Sequence, residues 1–152
     1  MSSLRDKLLD DGARDRAIQA TCDLVDAEVN KKRGLSGAAI KTAYGVVGRL
    51  KPRIFHDVVA KLLPDFADAL DPFYQRASEQ AASSGAPVSQ EVRAMFTRES
   101  SQVAEALLEV TDRKIGDARQ PIKGTYERLR GTAKTHVEAA VPGLAGTLGE
   151  FV

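Results

Sequence analysis

The sequence predicts an all-α fold: a compact multi-helix bundle built from two diverged, pseudo-symmetric helical repeats. Three observations carry that prediction. Apolar residues recur at helical spacing, and no alternating β pattern is found. Aromatics make up 5% of the chain and Trp is absent, so the core falls to Leu, Val, Ile and Ala, which suits packed helices better than a β-sandwich. Finally, Gly34, Ile40, Lys41 and Tyr44 return at one constant offset as Gly116, Ile122, Lys123 and Tyr126.

The elements follow in order. Ser3 caps a short helix through Leu4, Leu8 and Leu9 that stops near Gly12. The next runs from Ala13 to Lys32, with Ile18, Cys22, Val25 and Val29 on one face at helical period. Lys31, Lys32 and Arg33 before Gly34 match the preference for cations and then a left-handed glycine at a helix end. Ser36 caps a helix that ends near Leu50, because Pro52 disfavours helical geometry at Lys51. A further helix carries Ile54, Phe55, Val58, Val59, Leu62 and Leu63, after which Pro64 and Pro72 are expected to break the chain into two pieces. AASSGAPVS, residues 81–89, reads as the linker, with Ser89 as the next cap. Val92, Met95 and Phe96 then face inward, and a helix from Thr97 to Lys114 presents Val103, Leu107 and Val110. The last stretch passes through Ile122, Tyr126 and Leu129 to Val137, Val141, Leu144 and Leu148.

The 152 residues are long enough for one domain with a real core. Repeat one spans about 13–71, the linker about 81–89 and repeat two about 98–149; two units close into one globule, since a solenoid normally needs three. Pro142, Ala145 and Leu148 match Pro64, Ala67 and Leu70 at an offset four residues smaller, which is one helical turn.

Composition bounds the function. The N-terminus is too charged for a signal peptide, and no apolar run is long enough to span a bilayer. Cys22 is the single cysteine, so neither an intramolecular disulfide nor a multi-thiol metal site is expected, and the cytoplasm is the expected location. No cofactor is indicated. The net charge of +1 gives no global pull toward polyanions, but the charge is distributed in blocks. Residues 31–53 hold Lys31, Lys32, Arg33, Lys41, Arg49, Lys51 and Arg53 with no acid. Residues 113–136 hold seven bases, among them Lys123 and Arg130, against Asp117 and Glu127. Acid-rich segments flank both, so the blocks can neutralise one another within the fold.

The residues that disagree between the two copies point most directly to function. On a wheel of about 100° per residue, Gly37, Gly45 and Gly48 lie within about 40° of Lys41, opposite the apolar face of Ile40 and Tyr44. The matching positions in the second copy are Arg119, Glu127 and Arg130, so the fold itself does not demand glycine there. Interior glycines cost about 1 kcal/mol relative to Ala. A bare stripe with one lysine is therefore expected to serve self-association or a protein partner, through Gly37, Lys41, Gly45 and Gly48. The bland reading is that the stripe packs on another helix of the same chain. The alternative function is nucleic-acid or other polyanion binding through Lys31, Lys32, Arg33, Arg49, Lys51, Arg53, Lys123 and Arg130. No helix-turn-helix, RNA-binding or zinc-finger signature accompanies them.

Catalysis has less in its favour. His56 beside Asp57, and His136 in a similar region of the second copy, lack an HExxH or Glu-x-x-His setting, and the glycines follow no phosphate-loop pattern. Tyr44 and Tyr126 read as matched core anchors with wet hydroxyls, and Cys22 as a small hydrophobe. RDKLLDD, KKRGLSGAAIKTAY and LRGTAKTHVEAAVPGL together resemble a family of small all-helical bacterial proteins, common in actinobacteria, whose function is not established. The resemblance covers most of the chain and implies a cytosolic helical protein. It brings no catalytic residue, cofactor or substrate.

Overall fold

A computed structural model describes residues 3–31, 38, 40–42, 44–45, 53–117, 120 and 122–152. Six α-helices are delimited: α1 (Leu4–Leu9), α2 (Arg14–Lys31), α3 (Ile54–Ser84), α4 (Val88–Arg98), α5 (Ser100–Lys114) and α6 (Ile122–Leu148). A 3-10 turn follows α5 over Ile115–Asp117, and residues 38, 40–42, 44 and 45 are helical as well. Among the described residues there is no strand.

Local chemistry accounts for the ends. The Ser3 hydroxyl accepts from the Asp6 N–H while the Asp6 carboxylate accepts from the Ser3 N–H, a reciprocal capping box at 3.1 Å each way. Gly85 closes α3 in the left-handed conformation at φ 77°, where a Cβ would be strained. Glu99 divides α4 from α5 at φ −107°, ψ 33°, and is held by both guanidinium nitrogens of Arg76 at 3.0 and 2.9 Å.

Two sequence expectations are corrected. Pro64 and Pro72 do not divide the chain; both lie inside the 31-residue helix α3. Interior proline costs about 3 kcal/mol, but α3 buries Leu63, Ala67, Leu70, Tyr74, Ala77 and Ala81 at alternating steps of four and three. Such a seam is continuous only if the helix is. Pro72 is on the exposed side, where water can serve the carbonyl it leaves unpaired. The linker is also shorter than composition implied. Ala81 is buried and keeps α3 helical to Ser84, which leaves only Gly85, Ala86 and Pro87 before α4, and Pro87 rather than Ser89 is its cap residue.

The bundle is organised around α3, which packs on α1, α2, α4 and α5, while α6 packs on α2, α4 and α5. The buried core joins Leu4 and Leu8 of α1, Ile18 of α2, the α3 seam, Val92, Met95 and Phe96 of α4, Val103 of α5, and Val141, Ala145 and Leu148 of α6. At the far end Phe151 packs on this core under the Arg16 guanidinium, 5.2 Å from the ring centre. Among the described residues no Cα of α3 comes within 8 Å of one of α6. These two long helices face each other across a gap, although α2, α4 and α5 each touch both.

One prediction arises from α6. Gly131 lies in its interior, is exposed, and has open space where a Cβ would stand. Gly131→Ala should therefore gain up to about 1 kcal/mol, raising the thermal midpoint by about 2–4 °C. A scanning-calorimetry trace with no upward shift would contradict it.

Candidate functional site

The helical residues 38, 40–42, 44 and 45 sit at the mouth of that gap and have two faces. Ile40 and Tyr44 are half-buried, whereas Lys41 and Gly45 are exposed, as their positions on the wheel require. A Cβ at Gly45 would meet nothing within 4 Å, so no other part of the described chain covers this position. Gly37 and Gly48, the other two members of the expected stripe, lie outside the described residues, as do Lys32, Arg33, Arg49 and Lys51.

On the inner face the Tyr44 ring stacks on Phe55 of α3, with ring centres 4.1 Å apart and planes at 17°. Its hydroxyl donates to the Asp26 carboxylate on α2. Across the gap, Tyr126 of α6 donates in the same manner to the Asp112 carboxylate on α5, and its oxygen lies 2.9 Å from the Thr111 hydroxyl. Both tyrosines line one cleft of about 380 Å³, walled by Ile54, Phe55 and Val58 of α3 and by Leu129, Ala133 and Val137 of α6. A second cavity of about 210 Å³, lined by Phe66, Leu70, Leu144 and Phe151, continues from it. The two share Leu108, Thr111 and Val137, so α5 forms a common floor. The walls are almost wholly apolar. Among the described residues no buried side-chain nitrogen or oxygen lacks a partner.

The electrostatics are those of completed pairs. Arg130, matched in sequence to Gly48, is half-buried and forks onto Asp112 at 2.9 and 3.0 Å, so it is not part of a simple solvated face. Arg130 first, then the Tyr126 hydroxyl, holds the Asp112 carboxyl below its ordinary value of 3.8. Burial pushes both tyrosines above their ordinary 10.0, and the bonds to Asp26 and Asp112 push them further; Thr111 acts in the opposite direction on Tyr126. Burial, then Asp26 and Asp23, raises the Cys22 thiol, which keeps this half-buried side chain a poor nucleophile.

The pH dependence has a definite sign. A tyrosine whose pKa is raised by folding contributes stability that is complete below 10.0 and is lost as pH rises through the folded value. Asp112, lowered by folding, contributes stability that is complete above 3.8 and is lost as pH falls through its folded value. The thermal midpoint should thus hold level at intermediate pH and decline at both extremes. Tyr126→Phe should lessen the alkaline decline, and an unchanged alkaline limb would refute the assignment.

The remaining sequence-predicted residues are distributed around the molecule. Lys31 pairs with Glu28 at 2.9 Å, Arg53 is exposed, and Lys123 is half-buried. Lys114 and Lys134 of the second basic block reach Asp65 and Glu105 at 3.1 and 3.0 Å, so acid-rich segments engage part of that block. His136 is on the cleft wall, whereas His56 lies 3.9 Å from the carboxylate of the adjacent Asp57. Among the described residues no three His, Cys, Asp or Glu side chains gather to hold a metal, and no helix is long and apolar enough to cross a membrane. The sequence reading missed the cleft, because Val58, Ala133 and Val137 have helical spacing whether they face a neighbour or a gap.

Residues 4–152 match a family described as a family of unknown function (DUF6918). The chain belongs to that family. DUF6918 assigns no reaction, ligand or partner, so for this member the geometry has to carry the functional reading. No curated protein and no solved structure matches the chain.

Proposed function

We propose that this DUF6918 member is a non-enzymatic binding protein that acts by self-association or on a protein partner, through the outward face carrying Lys41 and Gly45. Gly37 and Gly48 share that face on the helical wheel. The observation that carries the reading is Gly45 itself: a helical, exposed glycine with open space at its Cβ position. A helix accepts the cost of such a glycine readily where a second backbone must approach closely.

The chain is read in the same proposal as two diverged copies. Tyr44 and Tyr126, matched at the constant offset, each bond an aspartate on a preceding helix. The two aspartates are about one helical turn farther apart than the tyrosines. On this reading the second copy has Glu127 and Arg130 where the first has glycines; Glu127 is exposed, and Arg130 is drawn into an ion pair.

Light scattering on the purified chain, with and without nucleic acid, tests the proposal. Self-association requires a mass above that of one chain in the protein alone. Gly45→Ala should lower that mass, whereas Gly131→Ala, an equally open glycine on α6, should leave it unchanged. If Gly45→Ala only raises the thermal midpoint and the mass stays constant, self-association through this face is wrong. A mass increase only with nucleic acid, reversed by salt, would favour the basic segments instead.

A further inference from the structure

We infer that the cleft between α3 and α6 is a binding site for a neutral, apolar small molecule. The first observation is the spacing. Packed helices ordinarily lie 8–10 Å apart, yet no described Cα of α3 is within 8 Å of α6, although α2, α4 and α5 each pack on both. Those three helices act as braces. The gap cannot close without unpacking them from one side or the other.

The second observation is what the gap is lined with. Phe55 and Val58 face Leu129, Ala133 and Val137 across it, and hydrocarbon walls of this kind offer water few hydrogen bonds. The larger lobe, about 380 Å³, is within the range of small-molecule sites, and the smaller lobe of about 210 Å³ extends it along the same floor.

The third observation selects the charge of the ligand. Among the described residues that line the cleft, the polar side chains already have partners: Tyr44 is on Asp26, Tyr126 is on Asp112 beside Thr111, and Arg130 forks onto both oxygens of Asp112. His136 is partnered too. A carboxylate entering here would meet Asp112 with the Arg130 guanidinium already engaged. An ammonium would lose its water among described lining residues that include Arg130 and no carboxylate. Burying either charge without compensation is costly, so an uncharged occupant is favoured.

The inference is independent of the Lys41–Gly45 reading, whose residues lie on the opposite face of the same segment. Its test uses Nile red, a neutral apolar dye, and three competitors of equal chain length kept below micelle-forming concentrations: 1-octanol, octanoate and octylammonium. The dye should bind saturably at one per chain. Octanol should displace it at concentrations at least ~10-fold lower than either charged competitor. Ala133→Phe, which places a ring in the larger lobe, should weaken dye binding at least ~10-fold while circular dichroism keeps its helical signal. Should that variant fail to fold, Ala133→Leu and the octanol-dependent rise in the wild-type melting temperature serve the same purpose. Non-saturable dye uptake, equal displacement by a charged competitor, or unchanged binding in a folded Ala133 variant would each overturn the inference.

Discussion

Phe96→Ala should remove about 3–5 kcal/mol of folding stability. Phe96 is 0% exposed on α4 and meets Phe73 of α3 edge to face, with ring centres 5.9 Å apart and planes at 66°. Truncation takes away the transfer energy of a whole ring, the edge-to-face contact and the packing of the atoms that surround it. Arg76 also ties the α4–α5 corner to α3 through Glu99, and its guanidinium lies over Phe73. A domain of this size carries about 5–15 kcal/mol in total, so the loss amounts to at least about a fifth of the folding stability and, at the low end of that range, to nearly all of it. Urea titration followed by circular dichroism measures the loss. A displacement below about 1 kcal/mol would mean that the ring is not the packed centre described here.

Leu4→Ala should cost about 2–5 kcal/mol and act on a different part of the molecule. Six residues are far too few for an isolated helix in water, so α1 exists only because it is docked. The docking is specific. Leu4 is 0% exposed, Leu8 is buried beside it, the Leu4 N–H donates to the Asp71 carboxylate at 2.8 Å, and Arg5 reaches Asp68 at 2.8 Å. The exposed Arg5 pair contributes little; the buried leucines hold the helix. Loss of Leu4 should release α1 before the rest unfolds, seen as hydrogen exchange over residues 4–9 that outpaces exchange in α3. Asp71→Ala should reproduce a weaker form, about 1 kcal/mol, by removing the acceptor of a half-buried N–H. If α1 exchanged no faster in Leu4→Ala than in the parent chain, the docking account would be wrong.

Much of the helical plan was legible. Ile18, Cys22, Val25 and Val29 mark one face of α2, and all four are buried or half-buried. Ser3 caps α1 as its chemistry demands. What proved illegible has a common cause: local rules were overruled by contacts made at a distance. Pro64 and Pro72 are local breakers, but the Leu63–Ala81 seam packs against four helices and holds α3 continuous. Ala81–Ser84 has the composition of a linker, yet burial of Ala81 keeps it helical. Arg130 and Asp112 lie 18 positions apart in sequence, and spacing alone does not show that their side chains meet. The cleft was hidden for a related reason. Hydrophobic periodicity identifies the face of a helix that avoids water, but not what that face will meet.

The three-residue connection at Gly85–Pro87 bears on the order in which the molecule assembles. So short a loop closes at little entropic expense. The end of α3 and the start of α4 are therefore neighbours from the outset, and Phe73 can find Phe96 by zipping back along two antiparallel segments. The contacts of α6 with α2 span most of the chain and carry the larger closure term. The α3–α4 hairpin therefore closes at a smaller entropic cost than the pairing of α2 with α6 across the chain.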